Sequence, residues 1–176
     1  MNEQKGAVLS LPVKFKLKDV LRYNMSVARK NIVNCIVMAI GLGVLVYFFY
    51  KMFTSGERMD IFVANHIVLL AVPVLIFVMI PWRVWKITAS QMQQPAFAYG
   101  VTYTFSTEHI GLDIGEASEE MTWDVFVKII ETKHDFRFYV NAISAQIIPK
   151  HNMSQEQLET LREIIRKAIP DRSQLR

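Results

Sequence analysis

The side chains able to do chemistry in this 176-residue chain are few and scattered. His66 stands inside an apolar run, and His109 shares a strand face with Asp113 while Glu108 and Glu116 lie nearby. His134 and Asp135 sit together between Lys133 and Phe136. A hydrolytic metal site needs several His, Cys or carboxylate ligands at helical or knuckle spacing. None of these groups has that spacing, so no metal and no cofactor is expected. Gly41 and Gly43 flank Leu42 in an apolar run, where they cannot cradle a nucleotide phosphate, and no serine lies in a nucleophile elbow. No catalytic residue is assigned and no enzyme activity is expected. Turn chemistry accounts for His134 and Asp135, Trp123 reads as a core plug, and Asp124 reads as a turn or hydrogen-bonding residue. Cys35 is the single cysteine, which excludes an intramolecular disulfide.

The elements that must position these residues start with two apolar runs, residues 31–50 and 61–82, of 20 and 22 residues. Each matches the roughly 20 residues that a helix needs to cross about 30 Å of hydrocarbon. The first carries eleven Val, Ile, Leu or Phe between Ile32 and Phe49, worth roughly −3 to −7 kcal/mol toward insertion. It is expected to remain in the mature protein, since it is too long for the apolar region of a signal peptide and lacks a small-residue cleavage site. Ala39 and Gly43 form a small-xxx-small pair, expected to pack within the hairpin. His66 is the intramembrane polar site of the second run. It lies five residues past Ile61, about 7 to 8 Å from the outer edge at helical rise, so an interfacial hydrogen bond is favoured over a proton path. Pro73 is expected to kink this helix.

Charge orients the pair. Residues 1–31 hold seven basic and two acidic residues, the connection 51–60 is neutral, and residues 95–176 hold nine basic and twelve acidic. The excess of cations lies beside the apolar runs, the positive-inside pattern, which puts both chain ends in the cytoplasm and the short 51–60 loop outside. Arg29, Lys30, Trp82, Arg83, Trp85 and Lys86 are the expected membrane-interface anchors, with indole rings at headgroup level and cations toward anionic lipid. A nucleic-acid footprint would need a basic stripe on the folded domain. The acidic balance there excludes one.

Around the hairpin the pattern changes to strands. Val13, Phe15 and Leu17 alternate with three lysines, predicting a strand that docks onto the C-terminal sheet, and Asp19 is expected to cap a helix over about 20–30. Apolar residues at alternate positions over 97–105 and 110–114 predict a hairpin, and further short strands are predicted over 121–123, 125–131, 136–141 and 145–149. Ser154 and Gln157 form a capping box. Behind them Leu158, Leu161, Ile164, Ile165, Ala168 and Ile169 make one apolar stripe, and Pro170 ends the helix. The expected fold is an α+β membrane protein: a two-helix transmembrane hairpin plus a C-terminal antiparallel PH-like β-barrel or sandwich closed by one amphipathic helix. Its parts are a cytoplasmic strand and juxtamembrane helix over 1–31, the hairpin over 32–82, a linker over 83–96, the PH-like domain over 97–170 and a tail over 171–176.

The stretches YTFSTEHIGLDIG, MTWDVFVKIIETKHDFRFYV and AQIIPKHNMSQEQLETLREII resemble the C-terminal domain of the YcxB-like family of small bacterial membrane proteins. KFKLKDVLRYNMSVARK is similar to the strand and helix that precede the first span in that family. The resemblance implies two membrane helices coupled to a PH-like module and supplies no catalytic or ligand-binding residue to carry over. The expected function is a membrane-tethered, non-enzymatic interaction or regulatory module of the bacterial cytoplasmic membrane. Its expected partners are the lipid bilayer and a protein, either foreign or a second copy of the chain. The alternatives are a lipid-headgroup sensor and, behind it, a subunit of a transporter or envelope enzyme complex.

Overall fold

Capping residues and alternating apolar positions divide the chain into eight strands and six helices in a computed structural model that describes residues 8–115 and 117–175. In chain order these are β1 (Leu9–Val13), α1 (Leu17–Lys30), α2 (Ile32–Thr54), α3 (Met59–Asn65), α4 (Ile67–Gln91), α5 (Pro95–Ala98), β2 (Val101–Phe105) and β3 (His109–Asp113). Then follow β4 (Ser118–Thr122), β5 (Lys128–Glu131), β6 (Asp135–Tyr139), β7 (Ala145–Pro149), α6 (Gln155–Ala168) and β8 (Ser173–Gln174). They form two compact units: residues Leu21–Thr88, and the residues up to Val20 together with those from Ala89 onward.

The second of these units contains two four-stranded sheets, ordered β1-β2-β3-β4 and β7-β6-β5-β8. All pairings are antiparallel except that of β8 with β5. Alternation buries one face of each strand. Leu9, Leu11 and Val13 of β1 join Val101, Tyr103 and Phe105 of β2, Phe136 and Phe138 of β6 and Ile148 of β7 in one apolar core. α6 covers that core with Leu158, Leu161, Ile164 and Ile165, all buried on one stripe. Its start is fixed as expected: Ser154 Oγ accepts from the Gln157 N–H at 3.2 Å while Gln157 Oε1 accepts from the Ser154 N–H at 2.9 Å. The sheets are two separate layers and do not close into a barrel, so that part of the expected fold is corrected.

Strand β1 joins the C-terminal sheet, pairing Leu11 with Tyr103, but it lies four residues earlier than its predicted position. The alternation of Val13, Phe15 and Leu17 runs past the strand into α1. The competing signal was Asp19, whose carboxylate accepts from the Lys16 N–H at 3.1 Å and so starts the helix at Leu17 instead of Val20. The predicted strand over 97–105 also divides. Pro95 opens a single helical turn, and Gly100, at φ +93°, turns the chain into β2. A Cβ at Gly100 would lie 2.7 Å from the Val13 carbonyl oxygen, so only glycine fits this close approach. Within the expected tail, Ser173 and Gln174 pair with Ile129 and Ile130 as β8.

The unit Leu21–Thr88 holds two helices long and apolar enough to cross a membrane, Ile32–Thr54 and Ile67–Gln91. Only 11% of the most apolar stretch of each is buried, so their side chains meet whatever surrounds the protein. Asn31 caps α2, its Oδ1 accepting from the Val33 and Asn34 N–H groups at 3.0 and 3.2 Å. The predicted second run is broken at His66 into α3 and α4, and α4 continues past Trp82 to Gln91. Of the glycines in α2, Gly41 is the one that packs, with Ile76 3.4 Å from a built Cβ; Ala39 and Gly43 are exposed, which corrects their expected place inside the hairpin.

Candidate functional site

Within the helical unit the six anchor residues are all exposed. Arg29 and Lys30 end α1, and Trp82, Arg83, Trp85 and Lys86 follow one another on α4, with the two indoles stacked at 5.4 Å between centroids. Arg83 alone of the six lines the cavity of this unit. His66 occupies the break between α3 and α4: its N–H donates to the Phe62 carbonyl at 3.0 Å, its Nδ1 lies 3.0 Å from the same oxygen, and its ring stacks on Phe62 at 4.2 Å. These contacts give the imidazole a local helix-ending role.

In the strand-rich unit, local sequence rules build the turns and long-range pairing builds the electrostatics. Thr132 Oγ1 accepts from the His134 and Asp135 N–H groups at 3.2 and 3.1 Å, the turn chemistry expected at this tip. Asp135 does more than turn the chain. Its Oδ1 accepts from Arg137 Nε at 2.8 Å in a nearly water-free setting, with the Asp135 side chain 1% exposed. Burial alone would lower the Arg137 pKa, yet the hydrogen bond and charge of Asp135, helped by Tyr139, leave it raised.

A second charged cluster went unnoticed in the sequence. Glu131, at the end of β5, has a fully buried side chain that accepts from Lys150 Nζ, from Arg162 Nε at 3.1 Å and from Arg162 Nη2 at 2.6 Å. Arg162 also bonds Glu159 one turn earlier on α6. The hydrogen bond from Glu131 is the main reason the Arg162 pKa is raised. This triad ties α6 and the segment after β7 to β5, and no spacing rule links residues 19 and 31 positions apart in the chain. A second tie joins His151 Nε2 to the buried Asp19 carboxylate at 2.8 Å, bringing the start of α1 against the turn after β7. No cluster of three metal-capable side chains occurs among the described residues, which include 108, 109 and 113; Glu116 lies outside them.

What remains accessible is an edge. β4 pairs with β3 alone among the described residues, and Ser118, Glu119, Glu120 and Thr122 are exposed. Just beyond it in the chain Val125 and Val127 are 46% and 50% exposed. An unpaired strand edge presents alternate N–H and C=O groups to an incoming extended chain.

Residues 105–165 match the family of YcxB-like proteins. The YcxB-like stretch therefore runs from the end of β2 to the third turn of α6 and takes in the β4 edge, Val125, Val127 and the whole Glu131–Lys150–Arg162 triad. β1, the helical unit and β8 lie outside it. No curated protein and no solved structure matches the chain.

Proposed function

We propose that this chain is a non-enzymatic interaction module with a PH-like, YcxB-like domain, tethered to the bacterial cytoplasmic membrane and binding a protein partner. The observation that carries the reading is the open β4 edge, flanked by Glu119, Glu120, Val125 and Val127. Main-chain groups along the edge give an extended peptide its affinity, and the side chains beside it select a segment with basic and apolar residues. The two sheets covered by one C-terminal amphipathic helix support the PH-like assignment.

Tethering is supported by two independent features. The long exposed apolar faces of α2 and α4 suit hydrocarbon better than water. Because β1 precedes these helices and β2 follows them, their pairing in one sheet requires both flanks of the hairpin on the same side of the bilayer. The cations at 22, 29, 30, 83 and 86 support a cytoplasmic assignment of that side.

Crosslinking mass spectrometry in native membranes tests the proposal by comparing the natural chain with Glu119→Lys/Glu120→Lys. Crosslinks from a partner to residues around β4 that vanish in the charge-reversed variant are the expected result. A partner retained by that variant and mapped elsewhere, or crosslinks to lipid-facing residues only, overturns it.

A further inference from the structure

The helical unit contains a cavity of about 560 Å³ bounded by the second half of α1, the first turns of α2 and the second half of α4. Its volume falls within the roughly 300–1,000 Å³ of small-molecule sites. The lining is divided by depth along the helices. Val37, Ile76, Met79 and Ile80 make an apolar end, Asn31 and Arg83 stand further along, and Asn24, Val27, Val84 and Ile87 line the cavity beyond them. From Ile76 to Arg83 is seven residues of α4, about 10 Å at helical rise. That is two thirds of one leaflet of a hydrocarbon core about 30 Å thick.

The polar stretch has unused donors and no counter-charge. Asn31 spends its Oδ1 on capping α2, and its Nδ2 donates to no described residue. Arg83 makes no ion pair with any described residue, and residues 20–56 and 61–107 contain no Asp or Glu. Arg29, Lys30 and Lys86 add to the same sign of charge nearby in the sequence. A guanidinium and an amide with free N–H groups, set above an apolar slot, complement a phosphodiester joined to an acyl chain. A second copy of the hairpin fits less well, since membrane helices approach one another through small residues, and this cavity is walled by branched side chains with an uncompensated cation.

We infer that this cavity binds one anionic phospholipid from the cytoplasmic leaflet, its phosphate held by Arg83 and Asn31 and one acyl chain lying along Val37, Ile76 and Ile80. The inference rests on the membrane reading of the hairpin and adds a ligand to it. A bound lipid supplies the counter-ion that the chain withholds from Arg83. It also fills a slot that would otherwise leave the α1, α2 and α4 contact underpacked.

Alkaline carbonate extraction of membranes carrying the full chain comes first. A chain released by carbonate overturns the membrane reading and this inference together. If the chain stays, the protein is extracted in a mild non-ionic detergent, mixed with equal amounts of phosphatidylglycerol and phosphatidylcholine, and examined by native mass spectrometry. The expected spectrum shows one retained phosphatidylglycerol per chain. R83Q should lower the ratio of bound phosphatidylglycerol to phosphatidylcholine about tenfold, the loss of one charge-assisted hydrogen bond. K86Q, which changes the same charge outside the cavity, should leave the ratio within about twofold. V37W, which fills the apolar end and keeps Arg83, serves as the second variant and should abolish retention. No retained lipid, equal losses in R83Q and K86Q, retention in V37W, or a lipid-free dimer in its place each overturns the inference while leaving the membrane reading intact.

Discussion

Replacing Glu131 with Gln removes one negative charge from a buried ionic cluster without changing the size of the side chain. The carboxylate is fully enclosed, and Lys150 and Arg162 are 16% and 17% exposed, so two cations lose the only charge facing them from β5. Removing one member of a buried pair costs about 3–5 kcal/mol because the other is left uncompensated. Here the cations retain some access to water and Arg162 keeps Glu159, which places the expected loss at the lower end, about 3 kcal/mol. The assay is denaturant unfolding of the full chain in a mild detergent, followed by Trp123 emission in a Trp82→Phe/Trp85→Phe background. Trp123 is suited to this because it is 4% exposed and its Nε1 donates to the Ser106 carbonyl at 3.0 Å. Hydrogen exchange over α6 should accelerate in parallel, since the triad is what ties Arg162 to the sheet. Glu131→Met/Lys150→Met/Arg162→Met should cost less than Glu131→Gln, because replacing all three charges by apolar groups leaves no buried charge orphaned. A loss below about 1 kcal/mol for E131Q, or a triple variant worse than E131Q, would refute the reasoning.

Two further outcomes follow from residues in and just before β2. Burial pushes the Tyr103 pKa from 10.0 up to about 12, so the folded chain keeps its proton where the unfolded chain loses it. The stability this group lends is complete below pH 10 and drains away between pH 10 and about 12, an amount of roughly 2–3 kcal/mol. Tyr103→Phe should flatten that part of the stability profile in the same unfolding assay, and a profile unchanged by the substitution would count against the burial argument. Gly100→Ala should cost about 1–3 kcal/mol, since alanine must both adopt φ +93° and press on the Val13 carbonyl. An Ala variant as stable as the natural chain would mean that the β1–β2 junction relaxes freely.

The parts of the fold legible in the sequence were those with local causes. The apolar lengths of α2 and α4, the capping box and stripe of α6, and the strand over Ala145–Pro149 all follow from residues close in the chain. Boundaries failed where two local signals overlapped. At Phe15 and Leu17 an alternating pattern continued into a helix that Asp19 had already started, and at Phe97 a strand-like run contained Pro95 and Gly100. Beyond the docking of β1 onto the C-terminal sheet, what could not be read was the pairing of distant side chains. Glu131 reads as the end of a predicted strand, and no spacing links it to Lys150 and Arg162, or His151 to Asp19, until the strands are folded into place. The β4 edge was equally hidden, because exposure of a strand edge depends on sheet order and not on the strand's own residues.

The placement of β1 changes what counts as the soluble domain. Leu9, Leu11 and Val13 are 8%, 0% and 1% exposed in the core, yet 87 residues separate Val13 from its partner strand at Val101, and the membrane-length helices lie between them. At about 1.5–3 kcal/mol for each fully buried aliphatic side chain, β1 contributes roughly 5–9 kcal/mol as an upper bound. That is comparable to the entire stability of a small domain, about 5–15 kcal/mol. A fragment beginning at Pro95 therefore exposes the apolar face of β2 and an unpaired edge where β1 belongs. It should be insoluble or poorly dispersed in its amide spectrum. Joining residues 8–20 to 89–176 through a flexible Gly/Ser linker should restore a cooperative unfolding transition without any membrane helix. A fragment from Pro95 that unfolds as cooperatively as the joined chain would show that β1 is dispensable. In that case the same-side argument, which depends on β1 pairing with β2, would lose its support.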